Sequence, residues 1–207
     1  MNDPWEGISL SDYEGHMSDR SVMQLQTLNS IMKEQLAGFP AESVIILGIA
    51  GGNGLEHTVG FKKVYAVDIN QSYLDTARER HGDLGGAAEY LRIDLNTEYE
   101  KLPSADLIIA DLLIEYIGCE SFLRCVKQAG ACHVSCVIQE NIGDGYISAT
   151  KYAGAFDCLD QVHRDIGREE LTACMEVAGF RRVLCAVHPL PNGKRLVRLD
   201  FSREANE

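Results

Sequence analysis

Residues 44 to 47 are four consecutive apolar side chains, and the chain then runs into glycine at 48, 51, 52 and 54. A strand without polar alternation is one covered on both faces, the condition of a parallel sheet packed between helices. The pattern recurs: "SVIILG", "KVYAVD", "AAEYLRID", "ADLIIAD" and "ACHVSCVIQ" read in order as five strands. Helical stretches fall between or after them. "NQSYLDTARERHG" follows the second strand, with Asn70 as its cap and Gly82 at its end. "LLIEYIGCESFLRCVKQAG" follows the fourth, and "GREELTACMEVAGF", ending at Gly179, follows the fifth.

Strand and helix in alternation imply a parallel sheet. The last segment breaks the rule. "FRRVLCAVHPLPNGKRLVRLDF" is two strand-like runs joined across Asn192 and Gly193, a hairpin signal. Val197, Leu199 and Phe201 alternate there with Arg198 and Asp200. The expected fold is therefore an α/β three-layer sandwich. Its seven-stranded, mostly parallel sheet ends in an antiparallel C-terminal hairpin strand.

Two segments lie outside the alternation. Residues 18 to 37 predict an amphipathic helix, with Val22, Leu25, Leu28, Met32 and Leu36 on one face and Ser18 or Asp19 as its cap. Residues 1–40 are thus expected to form an N-terminal helical cap. Residues 139–165 are too long for a simple connection and predict a substrate-side insertion. Both are expected to belong to one domain, 1–207.

With 207 residues, 45% of them hydrophobic, the chain can build a core without disulfides or metals. Its net charge of −12 repels phosphate backbones and argues against nucleic acid as a partner. Seven cysteines and no CxxC pair exclude a disulfide framework and a zinc cluster, and predict buried, reduced thiols and no bound metal. The first residues, "MNDPWEGISLSDYE", are acidic rather than signal-like, and no apolar run approaches membrane-spanning length. The expectation is a cytoplasmic monomer or homodimer, off the membrane.

Gly48, Gly52 and Gly54 follow G-x-x-x-G-x-G. The dinucleotide fingerprint G-x-G-x-x-G fails, because Ala50 or His57 stands where it needs glycine. The P-loop fails too: Asn53 replaces its second glycine, and no lysine follows. The carboxyl end of such strands is nevertheless where open parallel sheets bind ligands. Asp68 at the tip of the second strand can accept hydrogen bonds from both hydroxyls of a free ribose. Asp94 at the end of the third lies within reach of a base.

These motifs, in this order, resemble the class I S-adenosylmethionine-dependent methyltransferases, a Rossmann-like family. "ILGIAGGNG" is similar to their first motif, "YAVDIN" to their second, and "LRIDLN" and "ADLIIADLLIEYI" to the elements at their third and fourth strands. The terminal hairpin matches their seventh strand. The resemblance spans residues 40 to 138 and 166 to 202. It implies S-adenosyl-L-methionine as cofactor, S-adenosyl-L-homocysteine as product, and methyl transfer to an acceptor. It further implies that Gly48, Ile49, Ala50, Gly52 and Gly54 face the methionine part, Asp68 the ribose and Ile69 the adenine. Asp94 and Leu95 would meet the adenine edge, and Asp111 and Leu112 would lie under the sulfonium. Tyr13 and His16, from an N-terminal helix closing over the cofactor, would line the site. One position departs: Ile46 stands where the family usually carries an acidic residue.

Methyl transfer needs alignment and exclusion of water, and a base only when the acceptor holds its proton tightly. No catalytic signature is therefore required. Candidates are Glu115, with Tyr116 beside it, after the fourth strand, and Tyr146, Tyr152 and His163 in the insertion. No Asp/Asn-Pro-Pro-aromatic motif and no Pro-Cys pair occurs, which argues against methylation of nucleic-acid bases. With the net charge this favours a small molecule or a protein side chain as acceptor, and a small molecule is the leading expectation. A non-catalytic protein that binds S-adenosylmethionine or its product, or a partner subunit, is the alternative.

Overall fold

The computed structural model describes residues 3–141, 143 and 145–203. Ile142 and Asp144, inside the 139–165 segment, and the ends of the expected 1–207 domain lie outside the described residues. The apolar runs pair as β1 (Ser43–Leu47), β2 (Lys63–Asp68), β3 (Ala88–Arg92), β4 (Leu107–Asp111) and β5 (His133–Glu140), all parallel. The hairpin supplies β6 (Phe180–Pro189) and β7 (Arg195–Arg203). Strand β7 inserts antiparallel between β5 and β6, so the seven strands lie in the order β3-β2-β1-β4-β5-β7-β6.

Successive residues of a strand point to opposite faces. Ile45, Leu47, Ile108 and Ala110 join one apolar cluster, which includes Ile114, Phe122 and Val126 of α4 (Ile114–Ala129) and Leu171 and Met175 of α5 (Arg168–Val177). Val44, Ile46, Leu107 and Ile109 join the other, with Met32 and Leu36 of α2 (Gln24–Ala37) and Leu74 and Ala77 of α3 (Gln71–His81). Each such aliphatic side chain contributes roughly 1.5–3 kcal/mol by leaving water. Asn70 caps α3 by accepting from the Ser72 amide, and Gly82 follows it, as its sequence predicts.

The N-terminal region differs from expectation in its boundaries. Two helices occupy the expected cap, and the one expected from residue 18 begins at Gln24. Helix α1 (Leu10–Met17) is capped by Ser9, which accepts from the Asp12 amide. Ser18 closes α1 by donating to the Glu14 carbonyl at 2.6 Å, and Asp19 accepts from Ser21. Neither is free to cap α2, which starts six residues after Ser18, behind Met23 in a left-handed conformation. The cysteines also divide: Cys125 and Cys136 are buried, but Cys132, Cys158 and Cys185 are exposed, and all seven are free. Among the described residues no helix is long and apolar enough to cross a membrane, and no cluster of His, Cys, Asp and Glu could hold a metal ion.

Candidate active site

The pairing register sets the site. Leu47 lies opposite Val67 on one side and Ala110 on the other, so Gly48 emerges level with Asp68 and Asp111 at the carboxyl ends of β2 and β4. The Gly48 amide donates to the Val67 carbonyl at 2.8 Å, and the Ala50 amide donates to Asp68 Oδ2 at 2.9 Å. Asp68 Oδ1 accepts from the Asn70 amide at 2.9 Å. The aspartate thus ties the glycine loop to β2 and retains lone pairs for a ligand. It is only 8% exposed, and burial raises its pKa to about 6 against the pull of these amides.

A cavity opens above this edge, about 1180 Å³ of empty space with its mouth included. Gly48, Ala50, Asp68, Ile69, Asp94, Leu95, Asp111 and Leu112 line its sheet side. Tyr13 and His16 of α1 line it from above. Glu115, Tyr146 and His163 also line it. Four expected residues do not line it. Ile49 is packed in the α2–α3 core cluster. Gly52 and Gly54 face helices: a Cβ on Gly52 would meet His81 at 2.9 Å, and one on Gly54 would meet Met32 at 3.0 Å. Tyr152 lies behind the wall, its ring over Gly15 of α1. The glycine pattern therefore serves two purposes. Gly48, at φ 71°, turns the loop at the cavity floor, while Gly54, at φ 93°, lets α2 approach.

Asp94 is also engaged in its own turn, accepting from the Asn96 amide at 2.9 Å and the Thr97 hydroxyl at 2.7 Å. Asp111 does not cap α4, whose N-cap residue is Leu113. Instead Asp111 Oδ1 accepts from Gln35 Nε2 at 2.8 Å, and its Oδ2 is buried without a partner. Burial raises its pKa to about 7. A smaller adjoining cavity under the glycine loop is walled by Asp111, Gly48, Tyr13 and Ile46 among others. Ile46 packs there against the α2–α3 cluster, where a charged carboxylate would meet apolar neighbours.

The roof is assembled from two distant segments. Residues 4–7 form a short 3-10 turn anchored by Asn70 Nδ2 donating to the Trp5 carbonyl at 3.0 Å and by the Arg92–Glu6 ion pair at 2.9 Å. Arg80 of α3 pairs with Glu14 of α1. The 139–165 segment carries a 3-10 helix, Ala153–Gln161, whose Phe156 and Leu159 pack with Ile8 in a cluster flanked by Trp5 and Tyr13. His16 Nδ1 lies 2.8 Å from Thr150 Oγ1, and Asn192 of the β6–β7 turn donates to Ser148 Oγ at 2.9 Å. The sequence reading missed Gln24, Tyr73 and Gln139 as lining residues. Gln24, the first residue of α2, and Gln139, near the end of β5, hydrogen-bond each other across the cavity wall.

No family model and no curated protein matches this sequence. Solved structures do match. One is magnesium protoporphyrin IX methyltransferase from Synechocystis PCC 6803 with bound S-adenosylmethionine, at TM-score 0.68 and 12% identity, covering 99% of both chains. An O-methyltransferase family protein from Burkholderia thailandensis matches at TM-score 0.66 and 15% identity over 94% of this chain. The chain has the class I S-adenosylmethionine-dependent methyltransferase fold. It spans only 59% of the Burkholderia protein's length. The [4+2]-cyclase SpnF shares this methyltransferase fold at TM-score 0.63 and 10% identity, covering 89% of this chain and 83% of its own. Within the fold, then, chemistry must be argued from the site.

Proposed function

We propose that this protein is an S-adenosylmethionine-dependent methyltransferase acting on a small molecule. One observation carries the reading. One cavity is lined both by the glycine-loop residues Gly48 and Ala50 with Asp68, Asp94 and Asp111, and by Glu115, Tyr146 and His163. A cofactor and an acceptor can therefore meet inside it, away from bulk water.

The residues fit the cofactor. Asp68 has lone pairs left for two ribose hydroxyls, and Ile69 and Leu95 offer apolar surface to adenine. Asp111, with a buried and unpartnered oxygen on the wall of both cavities, suits the ammonium of the methionine part. It would take the role that Ile46 cannot perform. When bound, S-adenosylmethionine supplies a methyl group already activated by a sulfonium. The chain's residues need only align the acceptor and exclude water. Tyr13 and His16 cover the cofactor end, and burial keeps His16 neutral by lowering its pKa. The net charge of −12 and the roof favour a small acceptor over nucleic acid.

The test is calorimetry and thermal shift with S-adenosylmethionine, S-adenosylhomocysteine and NAD, followed by transfer of a labelled methyl group to a compound panel. A ligand at 100 times its Kd should stabilise the protein by about 2.7 kcal/mol. Binding of the two sulfur ligands with transfer supports the reading. Binding without transfer would assign a sensor, and a shift with NAD alone would overturn it.

A further inference from the structure

The acceptor end of the cavity has a definite chemistry. Glu115 stands on the first turn of α4, which breaks at Gly118, and is 4% exposed. Its Oε1 accepts from the Gln139 amide at 2.8 Å, which fixes the side chain. Its Oε2 is buried, lacks any partner, and belongs to a residue lining the cavity. Leaving such an oxygen unpaired is unfavourable, and a bound donor would relieve it.

Around it runs a wall of rings. Trp5 meets Tyr116 edge-on at 4.9 Å, Tyr116 meets His163 edge-on at 5.6 Å, and His163 stacks on Tyr146 at 3.6 Å and 8°. Ile117, Ile147 and Val162 complete it. Among the described residues no lysine or arginine lines the cavity, whereas Asp3, Asp68, Asp94, Asp111 and Glu115 do. Burial lowers the pKa of His163 as well as that of His16, so neither offers a lasting positive charge near neutrality. The buried Lys194 ammonium lies behind this lining and is engaged by the Tyr146 carbonyl, so the lining itself offers an anionic acceptor no cation, whereas a flat uncharged one has a wall of π surface.

We propose that the acceptor is a planar, uncharged aromatic alcohol whose hydroxyl donates to Glu115 Oε2, and that Glu115 takes its proton during transfer. The acceptor oxygen bonds to the methyl carbon of the sulfonium donor. The carbon–sulfur bond breaks with its electron pair returning to sulfur, and the hydroxyl proton passes to Oε2. This inference rests on the methyltransferase reading for the donor but not for the binding of the alcohol.

The test measures binding of 2-naphthol, 2-methoxynaphthalene and 2-naphthoate at pH 8, with and without S-adenosylhomocysteine. At that pH Glu115, raised by burial to about 7, is mostly ionised. The expected result is at least tenfold tighter binding of 2-naphthol than of either analogue. Glu115→Gln should bring 2-naphthol and its methyl ether within about twofold while S-adenosylhomocysteine affinity holds. 2-Naphthol is also a photoacid. Bound to the wild type it should emit as the naphtholate, as it should in Asp111→Asn, but as neutral naphthol in Glu115→Gln. Equal binding of the probes, tight binding of naphthoate, or naphtholate emission that survives Glu115→Gln overturns the proposal. If S-adenosylhomocysteine does not bind but the naphthol preference stands, the methyltransferase reading falls and the alcohol site survives.

Discussion

Gln35 donates its Nε2 proton to Asp111 Oδ1 at 2.8 Å, linking the middle of an N-terminal helix to the end of a central strand. Gln35 is fully buried, and among the described residues its amide is the only hydrogen-bond donor to the Asp111 carboxylate, whose Oδ2 has no partner. On the function proposed above, the contact positions the acidic group that would stand in for the carboxylate replaced by Ile46.

Gln35→Leu removes that donor and pushes the Asp111 pKa further above the about 7 that burial already produces. Fewer molecules then carry the charge at pH 7. S-adenosylmethionine affinity should fall roughly 10- to 100-fold, the equivalent of about 1–3 kcal/mol, and recover partly at pH 8.5. Calorimetry at both pH values decides it; unchanged affinity would detach Asp111 from the cofactor.

Asp68→Ala deletes the acceptor of the Ala50 and Asn70 amides and, on the function proposed above, the ribose contact. The thermal shift from S-adenosylhomocysteine should disappear. Asp68→Asn, which can still accept through one oxygen, should retain a reduced shift. Equal shifts in wild type and Asp68→Ala would remove Asp68 from the cofactor site.

Gly54→Ala should destabilise the fold by about 1–3 kcal/mol through strain at φ 93° and pressure on Met32, although Gly54 does not line the main cavity. Chemical denaturation measures the loss. Once folded, the variant should bind S-adenosylhomocysteine within a few-fold of wild type; a large affinity loss would return Gly54 to the site.

Three buried carboxyls hold protons more tightly in the folded chain than in the unfolded one: Asp68 at about 6, and Asp111 and Glu115 at about 7. Their contribution to stability is full below about pH 4 and is lost as pH rises through 6 to 7. Glu115→Gln cannot ionise. It should therefore gain on wild type by about 1–3 kcal/mol between pH 5 and pH 8, read as the difference between two denaturation series. A constant difference across that range would mean that Glu115 titrates normally.

Much of the scaffold is legible in single elements. The apolar runs at 44–47 and 107–110 have no polar face, so they could only become central strands. Asn70, Gly82 and the Asn192-Gly193 pair marked ends and turns through local backbone chemistry, which needs no tertiary partner. Ser18 and Asp19 misled because both are equally good at closing one helix and opening the next, and only the chain's path selects.

The sequence by itself determined the strand order's ingredients: which runs are buried on both faces, where the glycines interrupt them, and that Asp68 and Asp111 end their strands while Asp94 follows the third. Those properties are local, set by side-chain hydrophobicity and backbone freedom. Only the tertiary structure decided which glycines face the cavity and which face Met32 and His81. It alone brought Gln35 to Asp111 across 76 residues and Gln139 to Glu115 across 24, leaving one oxygen of each acid buried and unpaired. The physical reason is that burial and hydrogen-bond partners arise from packing between elements, and periodicity within an element carries no record of its neighbour.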